Sequence, residues 1–313
     1  MKSLITGCQG FIGKNLAQHL KKQGHHVTGI DKKLKVGDPV FVDEFVGHDM
    51  ESRITIENDF DRVYHLSADV PNSKNVGSAQ LGTGRSNPIQ TIQAMDFAAK
   101  NKSHFIYAVS AMIYNTEHQG HNGPDLNEDE HIWPAQPAGN IYGMEKLYNM
   151  QLAQEYAKSY GMKIALPIFH AMYGPHCDIF ENSKVVAATC LKILKAEDPG
   201  EIEIWGDGTQ IRSFCYIDDL MTGLDKLIEH DVQIPINMGS DEAITMTALA
   251  DMLIKISGKN IEKKYLPAGP AGCMRRNSDN TKIMKLTGWK PSYSLEQGLQ
   301  NTYEYVKSQV LTK

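Results

Sequence analysis

The chain has few cysteines, no long apolar run and no excess of positive charge. Its five cysteines lie far apart and none belongs to a C-x-x-C pair, so neither a disulfide framework nor a cysteine-based zinc site is expected. No stretch approaches the roughly 18 apolar residues of a membrane span. With 32 basic and 37 acidic residues the net charge is −5, which disfavours nucleic acid as a partner. These absences favour a cytoplasmic protein with free thiols, no metal and no membrane contact.

What the chain does contain is an alternation of short apolar runs with amphipathic stretches. Because the first run begins at Ser3, no room remains for a signal peptide. Strands are predicted at Ser3–Thr6, His26–Ile30, Arg62–Leu66, His104–Val109 and Lys163–Ile168, and helices at Phe11–Gln23, Pro88–Lys100 and Tyr142–Tyr160. This spacing predicts βαβ units and a parallel sheet. We expect an α/β fold, a doubly wound sheet in residues 1–169 and a smaller lobe in residues 170–313.

The pattern loosens in the second half of the chain. Helices are predicted at Val185–Ala196, Ile217–Glu229, Met246–Ile256 and Leu295–Gln309, a strand at Glu203–Trp205 and a loop at Gly269–Asn280. Residues of about 211–240 are expected to return to the large sheet. The segment Asp69–Asn87 is predicted to be a loop, and both a functional lid and a stretch without a role remain open.

A glycine turn joins the first strand to the first helix. The residues Gly7-Cys8-Gln9-Gly10-Phe11-Ile12-Gly13 place backbone N–H groups and a helix N-terminus where a pyrophosphate binds. The second strand ends at Asp31, whose carboxylate can accept hydrogen bonds from the ribose hydroxyls of NAD. It would repel the additional phosphate of NADP, although Lys32 and Lys33 follow directly. The sequence therefore predicts a dinucleotide site with a preference for NAD.

A tyrosine and a lysine four residues apart open a later helical stretch. Tyr142 and Lys146 share one helix face, so the ammonium can favour the phenolate of a tyrosine whose ordinary pKa is about 10. A phenolate so placed can take a proton from a sugar hydroxyl while hydride leaves the same carbon. The spacing alone is common, and its weight comes from following the glycine turn and Ser110-Ala111-Met112-Ile113-Tyr114.

Taken together, these motifs resemble the extended short-chain dehydrogenase/reductase family, in particular its members that act on nucleotide sugars. The resemblance covers nearly the whole chain and extends through Tyr173-Gly174-Pro175, Arg212-Ser213-Phe214, Asn237-Met238-Gly239 and Gly288-Trp289-Lys290-Pro291. It implies a Rossmann-type sheet with NAD as cofactor and a homodimer formed through two long helices. The second half is most similar to the GDP-mannose 3,5-epimerases of the family, which suggests a GDP-sugar as substrate.

The resemblance also implies roles for individual residues. The residues that it assigns to cofactor binding are Gly7, Gly10, Phe11, Ile12, Gly13, Asp31, Asp49, Met50, Leu66, Ser67 and Ala68, together with Tyr142 and Lys146. Ser110, Tyr142 and Lys146 form the set for hydride transfer, and Lys184 matches a base that acts on the sugar. The sugar diphosphate is expected to contact Lys192, Gln210, Arg212 and Arg276.

Three positions, Met112, Ala171 and Ser183, depart from the pattern of the 3,5-epimerases, and Ser183 stands where a glutamate is expected. That reaction uses a cysteine and a lysine on opposite faces of the sugar, and Met112 stands where the cysteine is expected. A thioether cannot exchange a proton at neutral pH, so Met112 is predicted to contact the sugar without acting on it. Ala171 also replaces an asparagine expected to contact the substrate. Oxidation at C4 remains compatible with the sequence, whereas epimerisation at two carbons by the usual pair does not.

Three functions therefore stay open. The first is an NAD-dependent nucleotide-sugar epimerase that acts through a 4-keto intermediate formed by Tyr142, Lys146 and NAD. The second is a 4-dehydrogenase or 4-ketoreductase without epimerisation. The third is an NAD-sensing protein without catalysis, which retention of both Tyr142 and Lys146 disfavours. An unidentified acid in the Asp69–Asn87 segment, such as Ser73, Lys74 or Arg85, is a further possibility.

Overall fold

The computed structural model describes residues 1–32, 34, 39–57, 59–70, 81–137, 141–181, 183–266 and 272–311. Two 3-10 turns, at Ala111–Ile113 and Thr116–Gln119, accompany the longer elements of the first half. These elements are β1 (Lys2–Thr6), α1 (Phe11–Lys22), β2 (His26–Asp31), β3 (Glu44–Gly47), β4 (Arg62–His65), α2 (Leu81–Asn101), β5 (His104–Tyr107), β6 (Val109–Ser110), α3 (Ile141–Tyr160) and β7 (Ile164–Phe169). Those of the second half are β8 (Met172–Tyr173), α4 (Val185–Lys195), β9 (Gly200–Trp205), β10 (Ile211–Ser213), β11 (Cys215–Tyr216), α5 (Ile217–Glu229), β12 (Pro235–Met238), β13 (Ala243–Thr245), α6 (Met246–Ser257), β14 (Ile261–Leu266), β15 (Arg275–Arg276), α7 (Thr281–Thr287) and α8 (Leu295–Leu311).

The described residues form one large sheet of eight parallel strands. Its order is β12-β7-β5-β4-β1-β2-β3, with β6 paired to β7. The chain runs outward from β1 to β3 and then returns to β4 on the other side of β1, so the strand order reverses between β1 and β4. In open α/β sheets a ligand binds at the carboxyl ends of the strands that flank such a reversal.

Helices cover both faces of this sheet. Ile5 of β1 belongs to an apolar cluster that contains residues of α1 and α5, whereas its neighbour Leu4 belongs to a second cluster with residues of α2 and α3. Because successive side chains of a strand point to opposite faces, the two clusters lie on opposite sides of the sheet. The predicted doubly wound α/β fold is confirmed.

The second half builds a smaller lobe and also completes the large sheet. Helices α4, α6 and α8 pack together, and β13-β10-β15 and β14-β9 form two small sheets. Of the stretch predicted to return to the large sheet, β12 pairs with β7 and α5 packs on α1, but β10 and β11 pair elsewhere. A division of the chain near Phe169 remains our proposal.

The segment Asp69–Asn87 differs from its predicted structure, because α2 begins at Leu81 and runs through Pro88. Tertiary hydrogen bonds explain why a stretch rich in glycine becomes helical: Asn87 Oδ1 accepts from Asp69 N at 2.7 Å, and Thr83 Oγ1 donates to the Asp69 carboxylate at 3.3 Å. Ser73 and Lys74 lie outside the described residues. Nowhere in the described parts of the chain is a helix both long and apolar enough to cross a membrane.

Candidate active site

The glycine turn after β1 lies against the turn after β4, at the point where the strand order reverses. Gly7 has φ +74°, and a Cβ at this position would lie 2.8 Å from Ser67 N. A Cβ on Gly13 would collide with the carbonyl oxygen of Gly7. Glycine is therefore required at both positions for the backbone to fold this tightly. The turn brings Gly7–Gly13 and Leu66–Ala68 to one edge of the sheet, where the sequence predicts cofactor contacts.

The start of α1 fits the pyrophosphate of a dinucleotide. Its N-cap Gly10 supplies no side-chain hydrogen bond and its first turn, which includes Phe11, Ile12 and Gly13, carries no acidic residue. The N–H groups of this end and the positive end of the helix dipole therefore remain free to hold an anion. In addition, Gln9 Oε1 is buried and has no protein donor within the described residues.

Two acidic residues of the candidate cofactor site, Asp31 and Asp49, lie at the end of β2 and shortly after β3. Asp31 Oδ2 accepts from Gln9 N at 3.0 Å, which ties the end of β2 to the glycine turn. Asp49 accepts a hydrogen bond from Glu51 N, which lowers its pKa, and pairs with Lys32 at 3.4 Å. Met50, beside it, is buried. Lys33 lies outside the described residues. The arrangement fits a ribose and an adenine beyond the turn.

Ser110, Tyr142 and Lys146 converge at the carboxyl ends of the strands. Ser110 ends β6 and lies close enough to Tyr142, in the first turn of α3, to lower the pKa of its phenol. Lys146 Nζ lies 5.7 Å from the centre of the Tyr142 ring and donates to Ala108 O at 3.0 Å. A Cβ at Gly143 would lie 2.5 Å from Met112 O, so glycine permits α3 to approach this closely.

Burial governs the protonation of this group. Burial is the main cause that raises the pKa of Tyr142, and the hydrogen bond from Ser110 only partly opposes it. Burial also lowers the pKa of Lys146, which the nearby Glu145 carboxylate opposes. Tyr142 is therefore a neutral phenol in the protein alone, and it needs further positive charge to become a base.

Arg276 reaches the position at which the resemblance predicts a cysteine. Its Nη1 lies 2.9 Å from the Met112 sulfur, while Nε and Nη2 both donate to Gln119 Oε1 at 2.9 and 2.6 Å. These partners are neutral, and Arg276 is paired in register with Arg212 across β10 and β15. Burial, with a smaller contribution from Arg212, lowers the pKa of Arg276. Among the described residues no carboxylate contacts Arg276, so the two neighbouring guanidinium groups are chemically suited to an anion such as a diphosphate.

Three further residues are predicted to contact the substrate, namely Arg212, Gln210 and Lys192. Arg212 donates to Ile211 O and Cys273 O, and Oε1 of the buried Gln210 has no hydrogen-bond partner among the residues that the structure describes. Lys192 donates to Glu203 O at 2.6 Å and lies over the ring of Trp205. None of these three contacts involves Ser110 or Tyr142.

Lys184 is the N-cap of α4. The residue as a whole is exposed, but its ammonium lies close enough to protein atoms for desolvation to lower the pKa, which Asp178 partly opposes. A lysine with a lowered pKa is a better base near neutral pH. Its backbone carbonyl accepts from Ala188 N at 2.8 Å, and among the described residues no hydrogen bond or ion pair joins Lys184 to Ser110, Tyr142 or Lys146.

Two residues of this site were missed by the sequence analysis. Gln119 fixes Arg276, and its own Nε2 donates to Tyr114 O at 2.9 Å. Glu145 is 4% exposed and directly precedes Lys146 in α3. Glu145 could have been identified from the sequence, because it lies inside the Tyr142–Lys146 motif of a helix that is expected to pack against the sheet. Gln119 gave no such signal, because its partner is 157 residues away.

Comparisons with known proteins agree with this geometry. A profile described as the NAD dependent epimerase/dehydratase family matches residues 3–239. The chain is 34% identical to GDP-mannose 3,5-epimerase of Arabidopsis thaliana, over 99% of this chain and 83% of that protein. Among solved structures it is similar to the UDP-glucose 4-epimerase of Thermotoga maritima with UDP-glucose, with a TM-score of 0.85, 25% identity and coverage of 99% and 100%. The UDP-glucuronic acid 4-epimerase of Bacillus cereus with UDP-glucuronic acid and NAD has a TM-score of 0.82, 28% identity and the same coverage.

Proposed function

Because the chain belongs to the NAD-dependent epimerase/dehydratase family, we propose that it oxidises C4 of a nucleotide-diphosphate sugar and then returns hydride to the sugar. The observation that carries this proposal is the convergence of Ser110, Tyr142 and Lys146 beside the glycine turn, at the reversal of strand order. The predicted family, NAD dependence and enzyme class are confirmed, and the roles of individual residues are part of the proposal.

Each residue of the proposed site has a defined role. Tyr142 takes the proton of the C4 hydroxyl, Ser110 holds that oxygen and Lys146 stabilises the phenolate and binds the nicotinamide ribose. When bound, NAD⁺ accepts the hydride from C4, and its positive ring favours ionised Tyr142. Returning the proton from Tyr142 completes the cycle, so the enzyme ends each turnover unchanged.

The substrate is proposed to be a GDP-sugar held by its diphosphate. Arg212 and Arg276 supply bidentate donors for the phosphate oxygens, with Gln210 and Lys192 as further contacts. The neutral partners of Arg276 leave its charge available for this anion. Binding should therefore weaken with added salt, since the site depends on a local charge.

Met112 favours epimerisation at one carbon over the 3,5-epimerisation named for the Arabidopsis relative. Its thioether cannot serve as an acid, so inversion would proceed at C4 by rotation of the sugar, or at one neighbouring carbon with Lys184 as base. A net 4-dehydrogenase or 4-ketoreductase needs the same hydride-transfer group. Deuterium from the solvent enters the sugar when a neighbouring carbon is inverted but not when C4 is inverted by return of hydride, whereas a net 4-dehydrogenase or 4-ketoreductase is identified by the change in the oxidation state of the cofactor.

We also propose that two copies associate through α2 and α3 in a cytoplasmic enzyme. Ile141, Met144 and Tyr148 are 44%, 49% and 54% exposed and lie along one side of α3. A second copy of the same helix pair would cover these side chains symmetrically. The five cysteines are free thiols, which suits a reducing compartment.

The test is single-turnover oxidation of a panel of GDP- and UDP-sugars, followed by the absorbance of the reduced cofactor. Tyr142→Phe should lower this rate by roughly 10² or more, because general acid–base catalysis contributes about that much. Tyr160→Phe, an exposed tyrosine on the same helix, is the matched control and should match the unaltered enzyme. A rate in Tyr142→Phe near that of the unaltered enzyme contradicts the proposal.

The same reactions in deuterated water show whether C3 or C5 of the sugar is deprotonated. We expect no rapid entry of deuterium at both C3 and C5 of GDP-mannose, and proton NMR of the product measures this. Met112→Cys provides the comparison, because a thiol beside Arg276 can ionise and exchange a proton. Rapid exchange at both carbons in the unaltered enzyme would contradict epimerisation at a single carbon.

A further inference from the structure

A buried carboxylate lies beside the proposed hydride-transfer group but has no task in the proposed mechanism. Glu145 is 4% exposed, and neutral amides hold both of its oxygens: Asn87 Nδ2 donates to Oε1 at 2.8 Å and Asn149 Nδ2 to Oε2 at 2.7 Å. A carboxylate is costly to bury unless hydrogen bonds and a nearby cation compensate it. The nearest cation in sequence, Lys146, belongs to the hydride-transfer group.

The surroundings of Lys146 explain why a carboxylate would be kept there. Its ammonium is enclosed, with the ring of Tyr107 at 4.7 Å, the ring of Tyr142 at 5.7 Å and Ala108 O as hydrogen-bond partner. Aromatic faces and one carbonyl oxygen compensate little of a full charge. A negative charge on the neighbouring residue favours the ammonium over the neutral amine.

The same carboxylate is connected to the cofactor turn. Asn87, which donates to Glu145, also accepts from Asp69 N at 2.7 Å and donates to Asp69 O at 3.1 Å. Asp69 directly follows Leu66–Ala68, the proposed lining of the cofactor site. One asparagine side chain of α2 therefore joins α3 to the end of this turn.

We infer that Glu145 is a positioning residue, whose carboxylate holds Lys146 as an ammonium beside Tyr142 and, through Asn87, fixes the turn that lines the cofactor. This inference rests on the proposed roles of Tyr142 and Lys146. The titratable groups that face the carboxylate are Tyr142 and Lys146 of α3 and Tyr107 of β5, and His65 of β4 faces Lys146.

Removal of the Glu145 charge should change the pKa values of Tyr142 and Lys146 in a known direction. The Glu145 carboxylate raises the pKa of Tyr142 and also that of Lys146. Oxidation needs Tyr142 ionised and Lys146 protonated, so the rate is bounded on the acid side by the first group and on the alkaline side by the second. Glu145→Gln lowers both pKa values, which moves the whole pH profile toward acid. A carboxylate that served packing alone would change the height of the profile without moving it.

The experiment measures single-turnover oxidation against pH for the most reactive sugar of the panel, in Glu145→Gln and in Glu155→Gln. Glu155 lies on the same helix and is exposed, so its substitution makes the same change of charge away from the site. We expect the Glu145→Gln profile to move by about one pH unit or more, which is about a tenfold loss at its alkaline edge. Glu155→Gln should not move it. An unmoved Glu145→Gln profile overturns the inference while Tyr142→Phe still decides the proposed function.

A second readout needs no sugar. Calorimetric titration with NAD⁺ should show a roughly fivefold or greater loss of affinity in Asn87→Ala, with Glu155→Gln again as control, because the turn at Leu66–Ala68 is no longer held. Unchanged NAD⁺ affinity in Asn87→Ala overturns the connection to the turn. This titration also tests the inference if no sugar of the panel is oxidised and the proposed function fails.

Discussion

At the scale of single residues, the neutrality of Gln119 determines what Arg276 can bind. One amide oxygen accepts from both Nε and Nη2, so the guanidinium is fixed in orientation, and no carboxylate in the described part of the chain compensates its charge. Gln119 is itself held by the carbonyl groups of Tyr114 and Asn115. The guanidinium is therefore oriented in advance, without a carboxylate that would compete with a diphosphate.

Gln119→Glu tests this arrangement with almost no change of shape. The new carboxylate would pair with Arg276 and cancel its charge, so we expect GDP to bind roughly tenfold more weakly, about 1.4 kcal/mol. NAD⁺ affinity should stay constant, since the substitution lies outside the glycine turn. Calorimetric titration with GDP and with NAD⁺ measures both, and Gln300→Glu on α8 is an exposed control. GDP affinity that is equal in Gln119→Glu and in the unaltered protein would contradict the role of Gln119.

At the scale of elements, α3 carries a row of exposed apolar side chains near its N-terminal end. Met144 and Tyr148 lie four residues apart on one side of the helix, and both are about half exposed. Exposed apolar side chains in such a row are typical of an interface.

Charged residues in this row should separate the proposed dimer. Met144→Glu with Tyr148→Glu places four carboxylates in a symmetric contact, and we expect a monomer by light scattering after gel filtration. Met284→Glu on α7, which is also 51% exposed, serves as the control and should leave the mass unchanged. If the unaltered protein already has the mass of one chain, the proposed dimer is wrong.

The elements that sequence predicted well are those whose signal is local. The apolar runs of β1, β2 and β7 and the periodicity of α5 gave their positions to within a residue or two at each end. The start of α2 was wrong by seven residues, because hydrogen bonds of Asn87 and Thr83 to Asp69 override a weak local preference. The glycine turn, Tyr142 and Lys146 were visible as spacing, whereas the bond between Gln119 and Arg276 depends on the tertiary fold and could not be predicted.

At the scale of the whole molecule, two buried histidines make stability depend on pH. Burial lowers the pKa of His65 to about 3 and that of His170 to about 4, from an ordinary value of 6.5. His65 bonds Thr6 and Thr91 through its two ring nitrogens, and His170 bonds Asn237 at 2.8 Å. Such an interior accepts the neutral imidazole and resists the charged one.

Both shifts lower the folded pKa, so the unfolded chain binds more protons below pH 6.5. The free energy of unfolding should therefore be unaffected by these groups above pH 6.5 and should fall between pH 6.5 and about 3 to 4. Urea unfolding at a series of pH values measures this loss, which amounts to several kcal/mol at most. His65→Gln should flatten the dependence, whereas the exposed His230→Gln should not. An equal slope in His65→Gln would contradict this origin.

The pairing of β12 with β7 also governs the order in which the chain can fold during synthesis. Every residue of β7 from Ile164 to Ile168 is buried, and the edge of β7 that faces away from β5 is closed by Pro235–Met238. When the first half of the nascent chain has left the ribosome, one edge of the apolar strand β7 is exposed, because its partner β12 has not yet been translated. Unpaired edges of this kind attract other strands, so the growing chain depends on prompt synthesis through Met238, or on a chaperone, to avoid aggregation.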